Sequence, residues 1–285
     1  MNLKQQLAEA LERVQAQNPL IHQLTNFVTA NDCANVTLAL GASPVMADDP
    51  GEAAEMSSAA DALVLNIGTL DHSRLPAMLL AGQAAAEKGI PIIFDPVGVG
   101  ATALRSAAAQ EIIRCLPLSV IRGNRSEIKQ LAGFASVIKG VDAQEDDDEE
   151  INDLPAIARD LAQRLDCVVC VTGRQDLVVD KHRLCLISNG HPFLSRITGT
   201  GCMASALIAS CCAVCGDPFL GAITGLTVMG VAGETAQATL REGEGLGTFR
   251  LRLFDAISTL TPETFAAKAR LTTTIKEAPS CRYAN

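Results

Sequence analysis

Short runs that are apolar throughout alternate along most of the chain with longer stretches whose apolar residues recur at helical spacing. Residues 20–25 (LIHQLT), 43–47 (SPVMA), 62–67 (ALVLNI), 90–94 (IPIIF), 118–121 and 168–171 read as strands. An amphipathic helix opens the chain over residues 1–17, Asn31 or Asp32 caps a helix that runs to Leu40, and further helices are expected over 72–88, 103–115 and 126–131. Apolar strands separated by helices predict a mostly parallel sheet covered on both faces, an α/β architecture in which ligands sit at the strand C-terminal ends. Residues 176–180, 182–187 and 193–197 then read as closely spaced strands, antiparallel at a sheet edge. Helices alone follow, over 201–215, 218–240, 246–260 and 262–269, and the tail from 271 to 285 is expected to fray. No linker divides the chain, so residues 1–285 are read as one domain.

Composition narrows the chemistry. With no Trp, one Tyr and 48% hydrophobic residues, the core must be aliphatic, and stacking platforms for bases or sugars are not expected. A net charge of -9 argues against nucleic acid or an anionic membrane as partner. Eight of the acidic residues fall within 142–153, which is read as a solvated acidic loop. The first residues lack the apolar core of a signal peptide, and the apolar run at 218–233 has no flanking Lys or Arg. A cytoplasmic location is expected, with 218–233 a buried helix. Ten cysteines are too sparse for a disulfide scaffold, and Cys33, Cys115, Cys211, Cys212 and Cys215 stand in helical, Ala-rich contexts where they serve as small core hydrophobes. Cys167 and Cys170 lie three apart on a strand, hence on opposite faces, and cannot share a metal there.

The residues that follow each strand are polar or glycine: Thr25-Asn26, Met46, Asn66 with Gly68-Thr69, Asp95-Pro96, Arg122-Gly123-Asn124, Thr172-Gly173, and 198–202 (TGTGC). Structural turns use the same letters, so their ordered recurrence carries the signal rather than any one of them. Gly199, Thr200 and Gly201 open an apolar helix, whose unpaired N–H groups suit a phosphoryl group. Cys202 stands on that rim, where a thiol is expected to ionise more readily than a free one, although a structural Gly turn followed by a buried Cys is the commoner explanation of such a motif taken alone. Asn124 and Glu127 form an N-x-x-E pattern that reads either as a capping box or as part of a magnesium site. Asp95 is a second acid or a turn-former, and Arg122 is a charge at a strand end. No G-x-x-x-x-G-K-[ST] occurs, and the G-x-G near 98 lacks the rest of a dinucleotide fingerprint.

Taken together, the runs at 19–26, 39–47 (ALGASPVMA), 62–70 (ALVLNIGTL), 91–102 (PIIFDPVGVGAT), 121–127 (IRGNRSE), 138–142 (IKGVD), 171–173 (VTG) and 198–202 resemble, in order, the hydroxyethylthiazole kinase family of the ribokinase-like superfamily. The resemblance implies a three-layer ribokinase-like fold and ATP- and Mg2+-dependent phosphorylation of 4-methyl-5-(2-hydroxyethyl)thiazole, a thiamine salvage step. It also implies a homotrimer with the site at a subunit interface. Position by position, Met46 and Gly199 would contact the thiazole, Arg122 and Thr172 ATP, and Asp95 and Glu127 would organise magnesium. Cys202 falls where related sugar kinases have an aspartate base. Rival readings are a hydroxymethylpyrimidine or pyridoxal kinase of the same superfamily, a non-catalytic thiazole- or nucleotide-binding protein, and a redox or metal protein using the cysteines.

Overall fold

The computed structural model describes residues 2–133 and 153–275. The 138–142 run and the acidic loop up to residue 152 lie outside the described residues. After helix α1 (Leu3–Gln17), strands β1 (Leu20–Leu24), β2 (Ser43–Val45), β3 (Ala62–Asn66), β4 (Ile92–Asp95), β5 (Val120–Asn124) and β6 (Val168–Thr172) alternate with helices. These helices are α2 (Ala30–Leu40), α3 (Ala53–Ala59), α4 (Arg74–Lys88), α5 (Ala103–Cys115), α6 (Arg125–Leu131) and α7 (Leu154–Leu165). Strands β7 (Asp176–Val179) and β8 (Arg183–Ile187) follow, then helices α8 (Thr200–Cys215), α9 (Pro218–Ala238), α10 (Leu246–Ser258) and α11 (Pro262–Lys268), and last β9 (Leu271–Ile275). The sheet order is β2-β1-β3-β4-β5-β6-β7-β8-β9. The first six strands are parallel, and β7 to β9 pair antiparallel.

Strict side-chain alternation splits the apolar strands between two cores. Ile21, Val64, Ile93 and Cys170 join α1, α2, α8, α9, α10 and α11 on one face. Leu63, Leu65, Phe94 and Cys167 join the helices of the other face. Cys167 and Cys170 therefore point to opposite sides, as their spacing requires. Helix α9 is long and apolar enough to cross a membrane by length and composition, but 83% of its most apolar window is buried against α8 and α10. Two glycines bring α8 and α9 into backbone contact: a Cβ on Gly225 would stand 2.5 Å from Ile208 N, and one on Gly221 2.6 Å from Cys212 Sγ.

Four sequence expectations need correction. Residues 193–197 are not a strand, because Pro192–Arg196 forms a 3-10 turn. Pro192 removes a ladder donor, the His191 ring accepts the Phe193 N–H, and Phe193 stacks edge-on to Phe249 at 5.4 Å. The tail does not fray at residue 271. The edge of β8 left open by that turn is taken by the Thr-rich β9, with Cys185 opposite Thr273. Helix α2 begins at Ala30 after Thr29, so neither Asn31 nor Asp32 is its cap, and Asp32 instead pairs with Arg250 of α10. Helix α3 was not anticipated, since seven residues hold too few turns to show a period.

Candidate active site

Because β1, β3, β4, β5 and β6 run parallel, their C-terminal residues meet at one edge, and the N-terminus of α8 packs over it. Asn66 and Asp95 stand side by side as paired residues of β3 and β4, and Asn124 faces Thr172 across β5 and β6. Asn26, Asn66, Asp95 and Glu127 are all buried. Such polar side chains remain buried only when hydrogen-bonded: Asn26, Asn66 and Asp95 bond to one another, and Glu127 accepts the backbone N–H groups of Gly98 and Asn124.

Asp95 anchors the set. Its Oδ2 accepts from Asn66 Nδ2 at 3.0 Å and from Ser205 Oγ of α8 at 2.8 Å. Its Oδ1 has no hydrogen-bond partner and lies 3.6 Å from Arg122 Nη1. Arg122 Nη2 donates to Thr172 Oγ1 at 2.6 Å, and Thr172 in turn donates to the Gly123 carbonyl. The guanidinium lies against the first turn of α8, where a Cβ on Gly201 would meet Nη1 at 2.6 Å. Its Nε is buried without an acceptor.

Two carboxamides converge on Cys202. Asn26 Nδ2 and Asn66 Nδ2 both donate to Sγ, at 3.2 and 3.3 Å. Backbone donors fix both amide orientations, since Gly68 N–H points at Asn66 Oδ1 and Thr29 N–H at Asn26 Oδ1. Asn26 Nδ2 also bonds Asn66 Oδ1 at 3.1 Å, closing a chain from Thr29 through Asn26 and Asn66 to Asp95. Gly199, the residue before α8, takes φ +90° directly against the Thr29 side chain.

Charge in this space is poorly solvated. Burial pushes the Asp95 carboxyl up, against the pull of Arg122, Ser205 and Asn66. Burial, then the charge of Asp95, push Glu127 up as well. Burial opposes the charge on Arg122, but Asp95 and Glu127 outweigh it and hold the guanidinium firmly protonated. The Cys202 thiol corrects the expectation of easy ionisation: burial and then the Asp95 charge raise it, and Thr29, Arg122 and Asn26 only partly offset them. Cys202 therefore holds its proton at neutral pH.

Asp95, Arg122, Thr172, Cys202 and Gly199 thus meet at one edge, with Glu127 beside them. The capping-box reading of Asn124 and Glu127 is realised in full, with reciprocal bonds at 2.9 and 2.8 Å. Glu127 Oε1 also accepts the Gly98 N–H, which ties the loop after β4 to α6. Met46 is not drawn into this cluster. It sits half-buried just beyond the end of β2, the edge strand beside β1, and packs against the core that holds α2 and α8. Sequence reasoning missed Asn26, Asn66, Thr29 and Ser205 as site residues. The two asparagines were visible at strand ends, whereas Ser205 was concealed in an Ala-rich helix one turn beyond Gly201.

The sequence pattern of the hydroxyethylthiazole kinase family matches residues 11–263. The chain belongs to this family. A hydroxyethylthiazole kinase of Ruminiclostridium cellulolyticum is 48% identical over 266 residues, covering 93% of this chain and 97% of that protein. The solved hydroxyethylthiazole kinase protein of Pyrococcus horikoshii OT3 superposes with a TM-score of 0.84 at 36% identity, covering 94% of this chain and 98% of that one. A ribokinase-like superfamily protein of Enterococcus faecalis V583 shares the fold at 11% identity, with a TM-score of 0.61 over 90% of this chain and 95% of that one. The fold is thus ribokinase-like α/β, as the sequence resemblance implied. Hydroxyethylthiazole kinase family membership also identifies the chain as a phosphotransferase with ATP as co-substrate.

Proposed function

We propose that the enzyme transfers the γ-phosphoryl group of ATP to the hydroxyl of 4-methyl-5-(2-hydroxyethyl)thiazole in thiamine salvage. The observation that carries this reading is the buried chain Asp95–Asn66–Cys202 under the N-terminus of α8, with Arg122 spanning Asp95 and Thr172. The hydroxyl oxygen bonds to the γ-phosphorus as the bond to the ADP oxygen breaks. Charge gathers on the transferred oxygens, where the free N–H groups after Gly199 and the Arg122 guanidinium oppose it. Arg122 and Thr172 hold the nucleotide phosphates, and Gly199 and Met46 bound the thiazole.

Cys202 keeps its proton in the resting state, so it orients the acceptor hydroxyl rather than stripping it beforehand. A loosely bonded transition state asks for little prior deprotonation, and the alcohol proton passes late, as the new P–O bond forms, to an oxygen of the transferred phosphoryl group. Asn26 and Asn66 hold Sγ in place through both of their Nδ2 donors.

The residues present fit a magnesium ion. Asp95 Oδ1 is a buried acceptor without a hydrogen-bond donor, and the charge of Asp95 disfavours a charged Glu127, a conflict that a dication relieves. Asp95 would hold it, with Glu127 contributing charge and organising its water. The ion supplies neutralisation of phosphate charge and alignment of the transferring group.

A homotrimer with the site at a subunit interface is supported by Phe27 and Val28, which directly follow Asn26 yet are 73% and 59% exposed. Apolar residues open to solvent at the mouth of a site fit coverage by a second copy. A cytoplasmic setting agrees with the free thiols of all nine described cysteines.

The test is ADP release by purified protein with ATP and magnesium, with and without hydroxyethylthiazole, and the product's mass. Thiazole-dependent ADP and one added phosphoryl group support the reading. Turnover with only a pyrimidine or pyridoxal alcohol changes the substrate. Thiazole binding without turnover replaces the kinase with a binding protein.

A further inference from the structure

His22 is fully buried in β1, and the chemistry described so far makes no use of it. Its Nε2 lies 2.8 Å from the Ala47 carbonyl and its Nδ1 2.8 Å from Ser57 Oγ of α3. A carbonyl can only accept, so Nε2 carries the hydrogen and donates, and Nδ1 accepts a hydrogen bond from the Ser57 hydroxyl. Both ring nitrogens are then satisfied by a neutral imidazole with one defined tautomer. Burial also pushes the ring's pKa down, against the pull of the Ala47 carbonyl and Asp48, which keeps it neutral.

Ala47 directly follows Met46, in a segment that has already left β2 and is no longer held by the sheet ladder. The next residue, Asp48, is gripped from the other side by Arg74 Nη2 at 2.9 Å. Arg74 Nη1 in turn binds the carbonyl of Thr25, the residue before Asn26. The stretch 46–48 is thus pinned at two points, and the second point shares its anchor with the segment that supports Cys202.

We infer that His22 is a positioning residue for the thiazole end of the substrate: by holding the Ala47 carbonyl it sets where Met46 stands. This rests on the reading of Met46 as a substrate contact. A residue that only stabilises the fold lowers the melting temperature and the yield of active enzyme. A residue that aims Met46 changes the KM for the alcohol and leaves kcat and the KM for ATP near their wild-type values.

Two variants separate these roles, because Gln reaches the position of Nε2 and Asn stops near that of Nδ1. His22→Gln keeps a donor for the Ala47 carbonyl, while His22→Asn keeps only a partner for Ser57. With one hydrogen bond lost, His22→Asn is expected to raise the KM for hydroxyethylthiazole about fivefold, with kcat and the ATP KM changed by less than about twofold. His22→Gln restores most of the loss. Ser57→Ala, which removes the donor to Nδ1 and so loosens the ring, shifts the same KM in the same direction by a smaller factor and decides the matter if His22→Asn does not fold. An unchanged alcohol KM in a folded His22→Asn protein, or in Ser57→Ala when His22→Asn is unfolded, overturns the inference. Equal losses for Asn and Gln overturn it too. Met46→Ala is measured alongside: an unchanged alcohol KM there removes Met46 as a contact, whereas a raised one with a silent His22→Asn sinks the His22 role alone.

Discussion

Alanine at position 199 meets two separable costs. Gly199 has φ +90°, and a Cβ there would stand 2.6 Å from Thr29 Cγ2 and 3.1 Å from Thr29 Cβ. The left-handed backbone costs a side-chain-bearing residue about 1 kcal/mol. Overpacking against Thr29 adds about 2 kcal/mol. Thr29 cannot swing aside cheaply, because its N–H and Oγ1 are both bound to Asn26 Oδ1. Expressed in full at the transition state, the sum of about 3 kcal/mol is roughly a hundredfold in kcat/KM. Gly89→Ala supplies the control: Gly89 closes α4 at φ +77° with nothing near its Cβ, so alanine there carries the backbone cost alone. Thr29→Ser deletes the clashing methyl and keeps the hydroxyl bond to Asn26. In that background Gly199→Ala should regain about tenfold of the lost kcat/KM. Steady-state ADP release and melting temperature are read for each protein. Wild-type kcat/KM in Gly199→Ala, or no recovery with Thr29→Ser, refutes the clash as the cause. Gly199→Val, with a β-branched side chain in the same space, abolishes turnover.

Cys202→Asp is expected to keep or raise kcat, because both carboxamide donors that face Sγ also suit a carboxylate; complete loss of turnover with fold and binding intact removes Cys202 from proton handling. Arg122→Lys cannot span Asp95 and Thr172 together, so the KM for ATP should rise about tenfold or more; an unchanged value rules out Arg122 as a nucleotide contact. Burial, against the Gly173 N–H and Arg122, pushes the Asp176 carboxyl up to about 6 from an ordinary value of 3.8. Between these limits the folded chain keeps a proton that the unfolded chain releases, so this group's contribution to stability falls as pH rises to 6 and stays lost above it. Asp176→Asn retains the acceptor for the Gly173 N–H and should raise the urea midpoint at pH 7.5 but not at pH 4; equal gains at both pH values refute the shifted carboxyl.

Much of the sheet was legible because buried parallel strands leave unbroken apolar runs, as 62–67 and 168–171 show. Boundaries were less so: β5 continues to Asn124 and draws Arg122 inside the strand, since the ladder to β6 tolerates a polar side chain at the sheet's open end. β9 was unreadable locally, because Leu271–Ile275 becomes a strand only through pairing with β8, far away in sequence. In the site, glycines and charges announced themselves at strand ends. The depressed thiol pKa expected from the helix terminus did not survive because that reasoning counted the N–H dipoles and omitted burial and Asp95. At Glu127 the capping box is realised through one oxygen, while the second reaches the Gly98 N–H in the loop after β4, a contact no spacing in the sequence announces.

The bare contact between α8 and α9 places a demand on residues with no chemistry of their own. Ile208, against which Gly225 rests, lies roughly 12 Å along α8 from Thr200 at the usual rise per residue. An α-helix has no joint over two turns, so a methyl group that wedges the rods apart there swings the muzzle of α8 away from Asp95. The aim of the N–H groups that open α8 is therefore a property of the whole rod and its neighbour. A survey of random substitutions scored for lost turnover would mark Gly221 and Gly225 beside Asp95 and Arg122, drawing a footprint much wider than the site it reports on.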